Sequence, residues 1–130
     1  MDDRQVERTA VDEFRVRLEH LDEEASAIYH ELRAKDLLAL THRTQEMIRL
    51  ARGMLEGNIA ILFGNEPPRI SQNLKQHVDY ADGHVRRALG EEYDFEVIQQ
   101  RLFMATALTQ YVVREVSRAV DALEKRLEQS

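Results

Sequence analysis

The stretch from Val11 to Leu32 reads VDEFRVRLEHLDEEASAIYHEL, and its apolar residues recur at alternating steps of three and four. These residues are Val11, Phe14, Leu18, Leu21, Ala25, Ile28 and Leu32. Such spacing keeps one stripe of an α-helix facing a partner, as in a coiled coil. Because residues 1–52 contain neither Gly nor Pro and are rich in strong helix formers, the stretch predicts a long helix over 4–34.

A second apolar stripe begins at Leu37 and predicts a helix over 37–63. It does not continue the phase of the first stripe, because Leu32 and Leu37 are five residues apart. We therefore expect a turn at residues 34–36, with Asp36 as the N-cap of the second helix. A single bent helix across both stripes is the alternative.

The segment Asn65-Glu66-Pro67-Pro68 is the strongest helix breaker in the chain, and it predicts a loop. Ser71 can cap a third helix over 71–89, because a serine side chain accepts hydrogen bonds from the first turn. Gly90 suits the position just past the end of that helix.

The last apolar stripe predicts a fourth helix over 95–127, with Asp94 as its N-cap. Four helices joined by short loops predict an all-α fold, an antiparallel up-and-down four-helix bundle with long helices. The length fits one domain over 1–130. The predicted core includes Phe14, Met47, Ala51, Leu102 and Val112.

The composition of the chain limits the classes of function that it can have. The 130 residues are 43% hydrophobic and 32% charged, with no cysteine and a formal net charge of −6. The lack of cysteine excludes disulfides, thiolate metal sites and cysteine nucleophiles. An acidic chain is a poor binder of nucleic acid, and no apolar run approaches the ~20 residues that cross a bilayer. Since the first residues do not resemble a signal peptide, we expect a soluble cytoplasmic protein.

Arg15 and His20 have the Arg-x-x-x-x-His spacing, which resembles the motif of HEPN ribonucleases. That resemblance implies RNA cleavage by a small all-α protein that pairs across a dimer. Arg15 would stabilise the phosphate transition state and His20 would transfer the proton. The alternative is a surface ion pair between Arg15 and Glu19, one helical turn apart.

Two carboxylate pairs with a spacing of three, Glu19 with Asp22 and Asp79 with Asp82, suggest a second kind of phosphoryl chemistry. All-α nucleotide pyrophosphatases hold magnesium with pairs of this spacing. Solvated helix faces are the alternative, since Asp and Glu make up 24 of the 130 residues. The five histidines lack the spacing of di-iron or hemerythrin-like sites, and we predict neither a metal ion nor a cofactor.

Small residues recur near the end of the second predicted helix, where Gly53, Gly57, Ala60 and Gly64 follow one another at steps of four, three and four. Each interior glycine costs a helix about 1 kcal/mol relative to alanine, so these positions need a reason. Close approach of another helix is the favoured reason. A break of the helix near Gly57 is the alternative.

The third predicted helix is too short to cover the longer ones along their whole length, which would leave an apolar stripe open to water. We therefore predict a homo-oligomer, most simply a dimer, with Gly53, Gly57, Ile61 and Phe63 at its interface. The predicted function is that of a non-enzymatic helical interaction, scaffolding or regulatory protein, with another protein as a further candidate partner. The alternative is a phosphoryl-chemistry enzyme, either a HEPN-like RNase or a Mg²⁺-dependent nucleotide hydrolase.

Overall fold

The computed structural model describes residues 3–32, 36–57, 59–63, 68–90 and 94–129, and every regular element in these ranges is an α-helix. The helices are α1 (Asp3–Glu31), α2 (Leu37–Glu56), α3 (Ala60–Phe63), α4 (Pro68–Gly90) and α5 (Phe95–Gln129). The all-α class predicted from the sequence is therefore confirmed. None of these helices combines the length and the apolar character that crossing a membrane requires.

Both aspartates predicted as N-caps have that role. The Asp36 carboxylate accepts a hydrogen bond from the Ala39 amide at 3.0 Å, and α2 begins at the next residue. The Asp94 carboxylate accepts one from the Glu96 amide at 2.9 Å, where α5 begins. Each carboxylate satisfies a backbone donor that has no partner within the helix. Ala34 and the rest of the predicted turn before Asp36 lie outside the described residues.

Helices α1 and α2 form an antiparallel hairpin. Arg43 of α2 donates hydrogen bonds to Glu24 and Glu31 of α1, both at 3.0 Å. Further along α2, a Cβ placed on Gly53 would lie 4.0 Å from the guanidinium of Arg17, which comes earlier in α1. Higher residue numbers in one helix thus meet lower numbers in the other, and the alternative of a single bent helix is wrong.

The predicted continuation of the second helix to residue 63 is wrong. Helix α2 ends at Glu56, and Gly57 follows with an extended ψ of −166° while its amide donates to the Met54 carbonyl. The chain then forms the separate short helix α3. The apolar residues 59–63 made the pattern look continuous, but the backbone leaves the helix at Gly57, as the alternative prediction had it.

The start of α4 also differs from the prediction. The helix begins at Pro68, so Ser71 lies inside it and is not its N-cap. Proline is favoured at the first helical position, because its fixed φ suits a helix and its missing N–H would have had no partner there. Gly90, predicted just past the end, is the last residue of α4. Residues 65–67 of the predicted loop lie outside the described ranges.

The long helices contact one another. Helix α5 runs against α1, with Arg15 bound to Asp121 towards one end and Gln99 donating to the Leu32 carbonyl at the other. Helix α4 contacts both α2 and α5, and the short α3 contacts α5. Each long helix in the described part therefore has its apolar stripe covered by at least two others.

The core lies between these helices. The five residues predicted to be buried are confirmed as buried: Phe14, Met47, Ala51, Leu102 and Val112. Four threonines are buried with them, and each hydroxyl donates to the carbonyl four residues earlier: Thr41, Thr44, Thr106 and Thr109. Because their polar groups are satisfied locally, these side chains pack in the core without an unpaired donor.

Candidate functional site

Arg15 and His20, the predicted RNase pair, lie towards different helices. The Arg15 guanidinium donates to Asp121 at 2.7 Å and to Glu124 at 3.1 Å, both on α5. The hydrogen bond with Asp121 is the main cause that raises the pKa of Arg15 above its ordinary value. His20 is exposed, and its charge helps to lower the pKa of Glu46 on α2, after the stronger effect of Arg49. The expected pairing of Arg15 with Glu19 is replaced by the two carboxylates of α5.

The carboxylate pairs proposed to hold magnesium lie on α1 and α4. Glu19 and Asp22 are exposed on α1. On α4, Arg52 of α2 donates to Asp79 at 2.8 Å and to Asp82 at 3.4 Å. Arg86 also binds Asp82, at 3.0 Å, and so the second pair already carries two guanidinium partners. Among the described residues, no group of three or more His, Asp or Glu side chains is placed to hold a metal ion.

Two histidines lie where α4 meets α5. The His77 ring stacks on Tyr111 with 4.3 Å between centroids. Further along, the Nδ1 atom of His84 lies 3.0 Å from a guanidinium nitrogen of Arg101. Burial lowers the pKa of His84, and the positive charges of Arg101 and Arg87 lower it further. The neutral ring can accept a hydrogen bond from Arg101, so both histidines act as contacts between the two helices.

The four residues predicted at a dimer interface have contacts within the chain. Gly53 is half-buried against Arg17 of α1, and Gly57 ends α2. Ile61 and Phe63 are partly buried and pack on the hydrophobic core. The end of α2 explains Gly57, whereas a Cβ on Gly53 would lie 4.0 Å from the end of the Arg17 side chain, so close approach of another helix stays a prediction.

Among the described residues, the apolar stripe of α5 at that end of the molecule is covered rather than open to water. Val120, Leu123 and Leu127 of α5 are all buried. The prediction rested on a third helix too short to cover the longer ones, but α4 has 23 residues, α2 has only 20, and α3 also contacts α5. This premise of the dimer prediction is wrong, and the dimer itself stays a prediction.

A shallow groove of about 340 Å³ runs along the outer side of α4 and α5. We call it the α4/α5 groove, and it is lined by Asp79, Tyr80, Gly83, His84, Arg87, Met104 and Leu108. Two of its apolar side chains are open to solvent, with Tyr80 63% and Met104 45% exposed. Tyrosine and methionine are among the residue types enriched at protein interfaces.

Gly83 forms part of this groove, at a partly buried position of α4. A Cβ placed on it would meet no heavy atom within 4 Å. Glycine in a helix interior costs about 1 kcal/mol relative to alanine, and no close contact in the described structure requires it. The surface of α4 is therefore uncovered at this position, between Tyr80 and Arg87.

Sequence reasoning missed this groove. Gly83 interrupts an otherwise regular helix pattern, and Met104 and Leu108 are apolar residues off the buried stripe of α5. These were the available signals, but they share a surface only once the pairing of α4 with α5 is known. Comparison with protein-family models, curated proteins and solved structures finds no match to the chain.

Proposed function

We propose that this protein is a non-enzymatic helical protein that acts by binding other protein surfaces, and that it does so as a homodimer. The observation that carries the proposal is the α4/α5 groove, with Tyr80 and Met104 exposed beside the open position at Gly83. Apolar side chains grouped on one outer face lower the free energy of a complex when a partner covers them. Binding is therefore the activity that this surface favours.

The proposed framework for this surface is an up-and-down four-helix bundle of α1, α2, α4 and α5. It is supported by contacts of α1 with α2, α2 with α4, α4 with α5 and α5 with α1. Ion pairs and hydrogen bonds join higher residue numbers of one helix to lower numbers of the next, which is the up-and-down arrangement. Such a framework holds the outer faces of α4 and α5 rigidly side by side.

The ion pairs support a non-enzymatic role over phosphoryl chemistry. Arg15 is held by two carboxylates of α5, and Arg52 bridges Asp79 and Asp82. A phosphate at Arg15 or a magnesium ion at Asp82 would have to compete with these ion-pair partners. In a protein that binds through its surface, the same pairs fix the positions of neighbouring helices.

Light scattering on the purified chain at micromolar concentration tests the proposal. We expect a mass of twice the 15.2 kDa of one chain. A mass of one chain at tens of micromolar would contradict the homodimer.

A second experiment tests the enzymatic alternative. Thermal unfolding is measured with and without millimolar Mg²⁺ and a nucleoside triphosphate, because a ligand of the native state raises the melting temperature. We expect no shift. A rise that Asp79→Asn abolishes would favour the nucleotide hydrolase instead.

A further inference from the structure

Because Gly83 has no side chain, it leaves a gap in the surface of the α4/α5 groove, and we call this gap the seat. Gly83 lies in the interior of α4, where glycine weakens the helix, and nothing in the described structure lies within 4 Å of its Cβ position. Met104 and Leu108 of α5 line the groove with it. The groove is open to solvent and has a volume of about 340 Å³. A large side chain from another chain can therefore enter here.

Tyr80 has a side chain large enough to fill this gap, and it lies on the same face of α4 as Gly83. It precedes Gly83 by three residues, a spacing that places both on one side of the helix. Tyrosine is common at interfaces, because its ring buries a large apolar area while its hydroxyl keeps a hydrogen-bond partner. The chain thus presents a projecting ring and an open seat one helical turn apart.

A ring and a seat on one helix face are complementary to a second copy of themselves. In a two-fold dimer, residue i of one chain contacts residue j of the other, and j contacts i. We propose that two copies of this chain pack their α4 helices antiparallel, with Tyr80 of each copy seated over Gly83 of the other. This inference rests on the homodimer proposed above and gives that dimer its interface.

The charges along α4 favour the antiparallel pairing. Asp79 lies just before Tyr80, and Arg87 lies one turn beyond Gly83. With Tyr80 opposite Gly83, Asp79 of one copy falls within about one helical turn of Arg87 of the other. The Asp79 side chain is 68% exposed beside Arg52, so its carboxylate remains open to a second guanidinium. A parallel pairing would instead bring like charges together, which opposes association.

The α4/α5 face is close to the size that a stable dimer needs. Helix α4 has 23 residues and is therefore about 35 Å long. At roughly 10 Å of width per helix, α4 and α5 together present a face of about 700 Å². A standard interface buries about 800 Å² per partner, so the α4/α5 face comes close to the usual requirement.

The dissociation constant of the dimer tests the seat directly. Sedimentation equilibrium is run on the full chain and on Tyr80→Ala and Gly83→Leu, with circular dichroism to confirm that each variant keeps its helices. We expect each change to weaken the dimer at least tenfold, because each removes two symmetric contacts. The matched control is Val16→Ala on α1, where the valine is 69% exposed outside the groove, and it should leave the constant unchanged.

Cross-linking tests the register, since the natural chain has no cysteine. A Tyr80→Cys chain is mixed with a Gly83→Cys chain and oxidised, and a disulfide forms only where the Cα atoms come within about 7 Å. We expect the mixed cross-link to form faster than a cross-link in either chain alone. Val16→Cys should stay uncross-linked under the same conditions.

The outcomes separate this inference from the homodimer itself. A wild-type chain that stays monomeric would overturn both. A dimer that Tyr80→Ala and Gly83→Leu leave intact would rule out the contact of Tyr80 with Gly83 between copies but keep the homodimer. If Gly57→Leu weakens that dimer instead, the interface lies at the end of α2, where the sequence first placed it.

Discussion

At the scale of single residues, Gly83 bears on two separate properties, the stability of α4 and the proposed association at the α4/α5 groove. A side chain at this position would strengthen α4, and the surrounding space is open enough to accept one. A small side chain would leave most of the groove open, whereas a large one would fill it. Stability and association can therefore be changed separately at one position.

The first prediction is that Gly83→Ala raises the free energy of unfolding by about 0.5–1 kcal/mol, because alanine restricts the unfolded chain and suits the helix. Gly57→Ala is the control, since its Cβ would lie 3.3 Å from the Met54 carbonyl oxygen and the helix ends there. Urea unfolding measures both. If Gly83→Ala does not raise the free energy of unfolding, the space around this position is more crowded than it is in the structure.

The second prediction concerns His84, whose pKa is lowered by burial and by Arg101 and Arg87. Below the ordinary histidine pKa of about 6.5, the unfolded chain binds a proton that the folded chain does not, so stability falls as the pH falls. One full proton would give ~1.4 kcal/mol per pH unit, and we expect a smaller slope.

Urea unfolding at pH 7.5 and pH 5.5 checks this prediction. Wild type should lose more stability between these values than His84→Gln, whose side chain does not titrate. Equal losses in the two proteins would mean that burial of His84 has no effect on the pH dependence.

Ion-pair partners mark the limit of sequence reasoning at this scale. The spacing of Asp79 and Asp82 shows that they share one face of α4, and this can be read from the local sequence alone. Their partner Arg52 lies on another helix, 27 and 30 residues away. The same holds for Arg15 and the carboxylates of α5. Which acidic groups remain available for chemistry is decided by tertiary pairing that no local spacing reveals.

At the scale of helices, periodicity and caps carried most of the information. The stripes of α1 and α5 and the caps Asp36 and Asp94 follow from local rules. The end of α2 and the start of α4 were misplaced for local reasons as well. Apolar residues continue past Gly57 although the helix does not, and Pro68 was assigned to a loop although proline suits a first helical turn.

The third prediction tests the buried face of α5. Leu102 is 0% exposed, and Leu102→Ala should lower the free energy of unfolding by about 2–5 kcal/mol, because it leaves a cavity in the core. Gln100→Ala, at an exposed position two residues earlier, should change it by less than about 0.5 kcal/mol. A Leu102 effect as small as that of the control would place the wrong face of α5 in the core.

At the scale of the whole molecule, the helix pairings decide which surface is left for binding. The end of the molecule that the sequence left open is covered, since α3 contacts α5 and Leu127 is buried. The α4/α5 groove is open instead, and it is formed by residues on two helices. Its existence depends on the register of α4 against α5, which the two amphipathic stripes do not specify.

Nuclear magnetic resonance spectra recorded over a dilution series test the central claim most directly, that this chain self-associates through the α4/α5 groove. Resonances of Tyr80 and Gly83 on α4, and of Met104 and Leu108 on α5, should shift with concentration, while those of the α1–α2 hairpin stay in place. Spectra that do not change from micromolar to millimolar concentration, with the tumbling time of a single 15.2 kDa chain, would contradict the claim.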